Sequence, residues 1–130
     1  MRLLLDTHVW LWSLLDPDRL STRAAQALQD PSNQLWLSPL SSWEAAMLAA
    51  RGRLHLLPDA VTWLRRALQE VPLESAGLTH EVAMLSVHLE DFKVRDPVDR
   101  FLASSCLTYG LTLVTADRRI RSCRAINTLW

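Results

Sequence analysis

The sequence predicts an α/β domain in which helices cover a short-stranded, mainly parallel central sheet. The first observation is that short apolar segments, typical of buried strands, alternate along the chain with longer segments of helical periodicity. The second is size: 130 residues, of which 49% are hydrophobic and six are Trp, can bury one sizeable core. We therefore expect a single domain spanning residues 1–130.

The first half of the chain predicts two strands and three helices. Ser residues precede two of these helices as N-caps, and Pro or Gly interrupts the periodic segments. In chain order, we expect a strand over Leu3–Leu5 that ends at Asp6, a helix over Thr7–Leu15 that Asp16-Pro17-Asp18 breaks, a helix from the cap Ser21 through Leu28, a loop at Asp30-Pro31-Ser32-Asn33, a strand over Leu35–Leu37, and a helix over Ser41–Arg51 that is capped by Ser41 and ended by Gly52.

The second half predicts three further helices and three short strands. Pro suits the first turn of a helix, and Gly suits the position just after its end. In chain order, we expect a helix opened by Pro58, a short strand over Val71–Leu73, a helix that begins at the cap Thr79 and runs towards Leu89, a helix from Asp96-Pro97 to Gly110, a strand over Leu111–Val114, and a last strand over Arg124–Leu129.

The composition excludes several classes of protein. The 14 Lys and Arg residues balance the 14 Asp and Glu residues, so nucleic acid would have to bind a local patch. No apolar run reaches the ~18 residues of a membrane span. Asp6 interrupts the N-terminal apolar run too early for a signal peptide, so we expect a cytoplasmic protein without a membrane partner. Cys106 and Cys123 lack the spacing of a metal site or a disulfide framework and are expected to be free, buried thiols.

Two acidic residues are expected at the carboxyl edge of the sheet. Asp6 directly follows the strand Leu3–Leu5, and Asp117 follows the strand Leu111–Val114 by three residues. Open parallel sheets bind their ligands beyond the carboxyl ends of the strands. If the two strands are parallel neighbours, both carboxylates lie at this ligand-binding edge.

Two further acids come from the starts of helices. With Ser41 and Asp96 as caps, Glu44 and Asp99 are each the third helical residue. A helix that follows a strand begins at the carboxyl end of that strand, which directs Glu44 towards the same edge as Asp6. Structural roles stay open beside this one. Ser41-x-x-Glu44 is also a capping box, Asp96 is a good cap without further function, and Asp99 suits the positive end of a helix.

Four carboxylates at one edge would need a compensating charge. Two carboxylates about 5 Å apart repel by roughly 3 kcal/mol at an effective dielectric constant near 20. Protons or a cation relieve this repulsion, and oxygen ligands without a set of His or Cys residues favour Mg²⁺ or Mn²⁺. Such an ion activates water and neutralises charge when a phosphodiester is cut. The acids therefore indicate metal-dependent hydrolysis without a covalent protein nucleophile.

Neighbouring residues could assist such a site. The hydroxyls of Thr7 and Thr115 could orient a carboxylate or a bound water, or they could form local turn hydrogen bonds. His8 is a candidate general base, although one His beside the end of a strand is more often structural. Arg100 could contact phosphate or form a surface ion pair. A patch of basic residues that could contact phosphate is predicted at Arg118, Arg119, Arg121 and Arg124, and Arg51 and Arg53 form a second candidate patch. The alternative for these residues is a solvated, charged face.

Five motifs, in order along essentially the whole chain, resemble PIN-domain ribonucleases, specifically the VapC-type toxins of bacterial toxin–antitoxin pairs. The motifs are Leu4-Leu5-Asp6-Thr7-His8-Val9-Trp10-Leu11-Trp12, Ser42-Trp43-Glu44, Arg51-Gly52-Arg53-Leu54, Asp96-Pro97-Val98-Asp99-Arg100-Phe101-Leu102-Ala103, and Leu113-Val114-Thr115-Ala116-Asp117.

The resemblance implies a PIN-like α/β/α sandwich, a metal-dependent endoribonuclease activity and an acidic pocket for Mg²⁺ or Mn²⁺. It also implies an RNA substrate, a homodimer and a small antitoxin protein that wraps the toxin and blocks the site. Carried over by position, the residues that match the acidic site are Asp6, Glu44, Asp99 and Asp117. Asp96 matches a further acid, either a peripheral ligand or only a helix cap, and Thr115 matches a hydroxyl residue near the last acid.

Two alternatives to an endoribonuclease stay open at this point. One is another metal-dependent phosphohydrolase, either a DNA nuclease or a phosphatase. A phosphatase with a covalent intermediate would carry the phosphate on Asp6, but the strand-end motif Asp6-Thr7-His8 is not the Asp-x-Asp that favours it. The other is a binding module that keeps the fold and has lost catalysis. Metal-dependent turnover separates the enzymes from the binding module.

Overall fold

A computed structural model describes residues 1–130 and has a five-stranded parallel sheet at its centre. The strands lie in the spatial order β3-β2-β1-β4-β5, and all four neighbouring pairs are parallel. Their bounds are β1 (Arg2–Leu5), β2 (Gln34–Leu37), β3 (Glu74–Ser75), β4 (Thr112–Val114) and β5 (Thr128–Leu129). The mainly parallel sheet predicted from the sequence is confirmed.

Seven helices connect these strands. Their bounds are α1 (Thr7–Leu15), α2 (Thr22–Gln29), α3 (Pro39–Ala50), α4 (Ala60–Glu70), α5 (His80–Val87), α6 (Pro97–Tyr109) and α7 (Arg118–Arg121), and a single 3-10 turn (Pro17–Arg19) lies between α1 and α2. None of the helices is both long and apolar enough to cross a membrane.

Alternate residues of the central strands face opposite sides of the sheet and fill two separate cores. Leu3 and Leu5 belong to the core beneath α1–α4, and Leu4 belongs to the core beneath α6 and α7. Val114 and Leu113 divide between the same two cores. All five side chains are almost or wholly inaccessible to solvent. The domain is therefore an α/β/α sandwich whose central strands are covered on both faces, which explains their continuous apolar sequence.

The strand order places a topological switch beside β1. The chain proceeds from β1 outward to β2 and β3, and then crosses to β4 on the other side of β1. At such a point the loops after the two adjacent strands diverge and leave a crevice at the carboxyl edge of the sheet. Asp6 follows β1 and Asp117 follows β4, so the fold brings both acids to this crevice.

Several predicted element bounds are wrong. Helix α3 begins at Pro39 with Ser38 as its cap, rather than at Ser41, because Pro at the first helical position lacks the N–H that would be unpaired there. The third strand is Glu74–Ser75 instead of Val71–Leu73, and the last strand is confined to Thr128–Leu129. Helix α7, after β4, was not predicted.

Two large apolar residues of helix α4 contribute to the core. Leu64 is buried, and Trp63 is half-buried against the same core cluster. Both cysteines are free thiols, as predicted, although Cys123 is only half-buried. Burial raises the pKa of the Cys106 thiol to about 12, so this side chain stays protonated within the core.

Candidate active site

All five acids singled out in the sequence line one cleft of about 370 Å³ at the carboxyl edge of the sheet. The cleft is lined by Asp6, His8, Val9, Trp12, Glu44, Asp96, Asp99, Ala116, Asp117 and Arg119. The helical acids thus reach the same crevice as the acids that follow β1 and β4. Trp12, Val9 and Ala116 were not predicted here, although Trp12 is one helical turn beyond His8 and their rings pack 5.9 Å apart.

Thr115 connects the two acids that follow the central strands. Its side chain is fully buried, and its hydroxyl donates a hydrogen bond of 2.7 Å to Oδ2 of Asp6. The Thr115 hydroxyl oxygen also accepts a hydrogen bond of 3.1 Å from the backbone N–H of Asp117. The backbone N–H of Asp6 donates in turn to the carbonyl of Val114 at 3.1 Å. Both acids are therefore fixed relative to the sheet.

Glu44 reaches the cleft from the second turn of α3, where it is the sixth helical residue. The capping-box interpretation is wrong, because Ser38 caps the helix and Ser41 lies inside it. The buried Ser41 hydroxyl instead accepts a hydrogen bond of 2.9 Å from the hydroxyl of Thr7. The Thr7 hydroxyl therefore joins α1 to α3, which is neither the contact with a carboxylate nor the local turn hydrogen bond considered for it.

Asp96 and Asp99 both belong to the start of α6. Asp96 is the N-cap, and its Oδ1 accepts a hydrogen bond of 3.2 Å from the backbone N–H of Asp99. Asp96 is exposed and Asp99 is half-buried. Asp96 thus acts as a helix cap and also lines the cleft, so its two predicted roles do not exclude each other.

The negative charges of the cleft strongly affect the protonation of Asp99. Burial, together with the charges of Asp6, Asp96, Asp117 and Glu44, raises its pKa to about 7. Burial also raises the pKa of Asp6, although the hydrogen bond from Thr115 opposes this effect. Burial and the neighbouring charges thus both disfavour the ionised form of Asp99.

Asp117 has its own cationic partner. The Arg119 guanidinium donates hydrogen bonds to both carboxylate oxygens of Asp117, at 2.9 Å from Nη2 and 3.3 Å from Nε. These contacts lower the pKa of Asp117, and the Arg119 backbone N–H adds a hydrogen bond of 2.8 Å. The Arg119 side chain is 71% exposed. It therefore lies over the rim of the cleft and can move without disturbing the core.

The chemistry of these side chains fits a hard divalent cation. The available ligands are carboxylate oxygens, which suit Mg²⁺ and Mn²⁺, and the charges of four neighbouring acids contribute, after burial, to the raised pKa of Asp99. No group of three or more Asp, Glu, His or Cys side chains converges closely enough to hold a metal ion by itself. An open, acid-lined cleft suits an ion that keeps several of its waters, as Mg²⁺ does.

Arg100 has a different role from the phosphate contact considered for it. Its Nε donates to the carbonyl of Ser86 at 2.8 Å, and its Nη1 donates to the carbonyls of Phe92 and Val94 at 3.1 Å each. The guanidinium is thus half-buried and committed to backbone oxygens. Arg100 holds the segment before α6 against the end of α5.

The basic patch predicted after Asp117 is divided between two surfaces. Arg119 and Arg124 line a cleft with Lys93 and Arg95, whereas Arg118 and Arg121 line another cleft with Arg23 and Trp130. Helix α7 causes this division, because residues three apart on a helix share a face and adjacent residues do not. Lys93 and Arg95 were missed in the sequence analysis. The signal available was their alternation around the apolar Val94.

The second basic candidate, Arg51 and Arg53, does not reach the acidic cleft. Both are exposed in the turn that follows α3. Since α3 begins at the carboxyl edge of the sheet, its end lies towards the opposite edge. These two arginines are therefore remote from the five acids.

The fold and the site define the class of protein. The model of the PIN domain family matches residues 3–125, and the chain belongs to this family. Within the family, the chain is similar to Ribonuclease VapC22 from Mycobacterium tuberculosis (strain ATCC 25618 / H37Rv). The two are 36% identical over 121 residues, which cover 93% of this chain and 91% of the relative.

Solved structures of low sequence identity share the fold. One is the crystal structure of VapBC2 from Rickettsia felis bound to a DNA fragment from the VapBC2 promoter. A chain of that structure has a TM-score of 0.73 and 14% identity, and the match covers 100% of this chain and 99% of that one. A toxin–antitoxin complex from Klebsiella pneumoniae has a TM-score of 0.67 and 19% identity, with coverage of 98% and 95%. FitAcB from Neisseria gonorrhoeae has a TM-score of 0.65 and 18% identity, with coverage of 98% and 96%.

Proposed function

We propose that this protein is the toxin of a toxin–antitoxin pair and acts as a divalent-metal-dependent endoribonuclease that hydrolyses RNA phosphodiesters. The observation that carries this proposal is the single cleft that gathers five carboxylates at the switch point of the sheet. Membership of the PIN family and the similarity to a VapC ribonuclease support it. We further propose that the whole chain acts as one PIN domain and that it works in the cytoplasm.

We assign the metal site to Asp6, Glu44, Asp99 and Asp117, which would hold Mg²⁺ or Mn²⁺ directly or through water. When bound, the ion would lower the pKa of a water nucleophile and offset the negative charge that develops on the phosphodiester. Asp96 is assigned a peripheral position, because it is exposed and already caps α6.

The chain's own residues prepare this chemistry in three ways. Thr115 orients Asp6 through a hydrogen bond, and hydrogen bonds of this kind behind a ligand commonly change metal affinity 10- to 100-fold. Asp99 would release its proton when a cation neutralises the cleft. Arg119 would leave Asp117 free for the ion and turn its guanidinium towards a phosphate of the substrate. His8 lies at the cleft but has no contact that fixes it as a general base.

Partners follow from the same proposal. We infer an RNA substrate, a cognate antitoxin protein and a homodimer. The similarity to chains from toxin–antitoxin complexes supports the antitoxin. A surface feature that suits a protein partner is an apolar cleft of about 240 Å³, in which 10 of 13 lining residues are hydrophobic, between α1, α2 and the end of α4.

The test is cleavage of purified cellular RNA by antitoxin-free protein, first with Mg²⁺ or Mn²⁺ and then with EDTA. We expect discrete fragments that require the metal and disappear in Asp6→Asn, which removes a ligand charge and nearly keeps the shape. Glu70→Gln is the matched control. It removes one exposed carboxylate at the end of α4, which lies towards the opposite edge of the sheet, and should leave cleavage unchanged.

Each alternative gives a distinct result in this assay. Cleavage of single-stranded DNA but not RNA would indicate a DNA nuclease, and release of phosphate from a phosphomonoester would indicate a phosphatase. No turnover of any substrate by folded protein would leave a non-catalytic binding module. Cleavage that persists in Asp6→Asn would refute the assigned site.

A further inference from the structure

Beside the acidic cleft lies a larger cleft of about 790 Å³ with the opposite charge. Four cationic side chains line it, namely Lys93, Arg95, Arg119 and Arg124, together with one carboxylate, Asp91. Its other lining residues are small or neutral. The chain as a whole has no net charge, so this concentration of positive charge is a local feature.

We propose that this basic cleft is a subsite for the sugar–phosphate backbone of single-stranded RNA next to the bond that is cut. The inference rests on the proposed function, because it supplies the substrate-binding surface that an acidic cleft alone lacks. Five carboxylates repel a polyanion, and cations beside them would hold the flanking phosphates in place.

Three of the four cations are free to contact a ligand. Lys93, Arg95 and Arg124 are exposed and form neither an ion pair nor a side-chain hydrogen bond. Exposed arginines that are not engaged by carboxylates keep their planar donors available for phosphate oxygens. The cleft therefore offers unused donors in a concave surface large enough for part of a nucleic-acid strand.

The scaffold fixes these cations even though their side chains are free. Val94 is buried in the core, so Lys93 and Arg95 on either side of it extend outward. Arg100 holds this segment by hydrogen bonds from its Nη1 to the carbonyls of Phe92 and Val94. We therefore assign Arg100 the role of positioning the cleft rather than of contacting RNA.

Arg119 connects the basic cleft with the acidic cleft. Its side chain lines both clefts, and it is the cation that pairs with Asp117. A strand that crosses from one cleft to the other passes this guanidinium. The basic cleft is thus continuous with the site where the phosphodiester would be cut, whereas the cleft of Arg118 and Arg121 shares no lining residue with the acidic one.

The experiment measures binding of a fluorescein-labelled single-stranded RNA by anisotropy at increasing KCl, in EDTA so that no cleavage occurs. The variant is Arg95→Gln combined with Arg124→Gln, which spares Arg119. The matched control is Arg51→Gln combined with Arg53→Gln, which removes the same charge from the opposite edge. Circular dichroism checks that both variants fold, as expected for exposed positions.

We expect the cleft variant to bind roughly tenfold more weakly. The slope of log Kd against log[KCl] should be smaller by about 1.4, since each phosphate contact to single-stranded nucleic acid contributes about 0.7 and the variant removes two. The control variant should retain the wild-type slope. In Mn²⁺, the cleft variant should cleave RNA with a higher KM and an unchanged kcat, because a flanking contact binds ground state and transition state alike.

Three results would overturn the subsite. The first is an unchanged salt slope in the cleft variant, and the second is an equal loss of RNA affinity in both variants. The third is normal RNA binding with lost binding of an acidic peptide, which would assign the cleft to a protein partner. Failure of the proposed function looks different: wild-type protein would bind RNA through the cleft and cut no RNA in Mg²⁺ or Mn²⁺.

Discussion

Asp99→Asn should stabilise the metal-free protein and remove its nuclease activity. The Asp99 carboxyl faces four other acids, and its pKa is raised from 3.8 to about 7. Folding therefore favours its protonated form. Below about pH 3.8, the ordinary pKa of the carboxyl, both the folded and the unfolded chain carry the proton, so Asp99 does not lower the free energy of unfolding. As the pH rises towards 7 the unfolded chain loses the proton first, and the free energy of unfolding falls.

The size of this effect follows from the shift. One pKa unit corresponds to about 1.4 kcal/mol, so a fully enclosed carboxyl shifted from 3.8 to about 7 would cost about 4 kcal/mol when ionised. Asp99 is only half-buried, and solvent screening reduces the cost to about 1–2 kcal/mol. Asn mimics the neutral acid, so Asp99→Asn should gain this amount at about pH 8 and about a third of it at about pH 4.

Urea unfolding of both proteins in EDTA, at about pH 4 and about pH 8, measures this difference. Glu90→Gln is the control, because Glu90 is exposed and lies outside the acidic cleft. Removal of its charge should not give a gain in stability that grows with pH. Added Mn²⁺ should stabilise the wild type more than Asp99→Asn, because only the wild type keeps the full ligand set. A loss of stability at about pH 8, or a gain independent of pH, would refute the reasoning.

Three further predictions concern residues around the site and the core. Thr115→Val should raise the Kd for Mn²⁺ about tenfold or more by removing the hydrogen bond to Asp6, and Thr115→Ser should restore it, as measured by calorimetry. Gly110→Ala should cost about 1 kcal/mol of stability, because Gly110 ends α6 at φ +66, a conformation that Ala disfavours. Cleavage should stay intact, since a Cβ at this position meets only ordinary contacts. Gly110→Asn should cost less stability than Gly110→Ala in the same urea titration, because Asn accepts this conformation more readily. Leu102→Ala should cost about 2–5 kcal/mol, seen as a lower Tm, because the side chain is fully buried in the core.

The sequence predicted the elements whose signals are local. Helix α6 begins after Asp96 and ends before Gly110, as expected, because a capping Asp, a Pro at the first position and a terminal Gly all act on adjacent backbone. The gathering of the acids was also predictable. Asp6 and Asp117 follow strands that turn out to be parallel neighbours, and the carboxyl ends of such strands meet at one edge.

The features that the sequence did not predict depend on contacts between distant residues. Ser41 is as good a cap as Ser38, and the choice is visible only when the Ser41 hydroxyl is found paired with Thr7. The two-residue strands β3 and β5 exist only through pairing with their neighbours. The separation of Arg118 from Arg119 needed helix α7, which is too short for a periodic signal.

The side-by-side arrangement of the acidic and basic clefts has a consequence for the kinetics of encounter. A neutral chain exerts little force on a polyanion beyond the Debye length of about 8 Å in physiological salt. Without long-range steering, association with RNA should be slow and nearly independent of salt, at about 10⁵–10⁷ M⁻¹s⁻¹. Contacts with phosphates would then act on the rate of dissociation. Because contacts with phosphates carry no sequence information, the basic cleft would prolong the residence of any bound RNA alike, and discrimination among RNAs would depend on contacts outside this cleft.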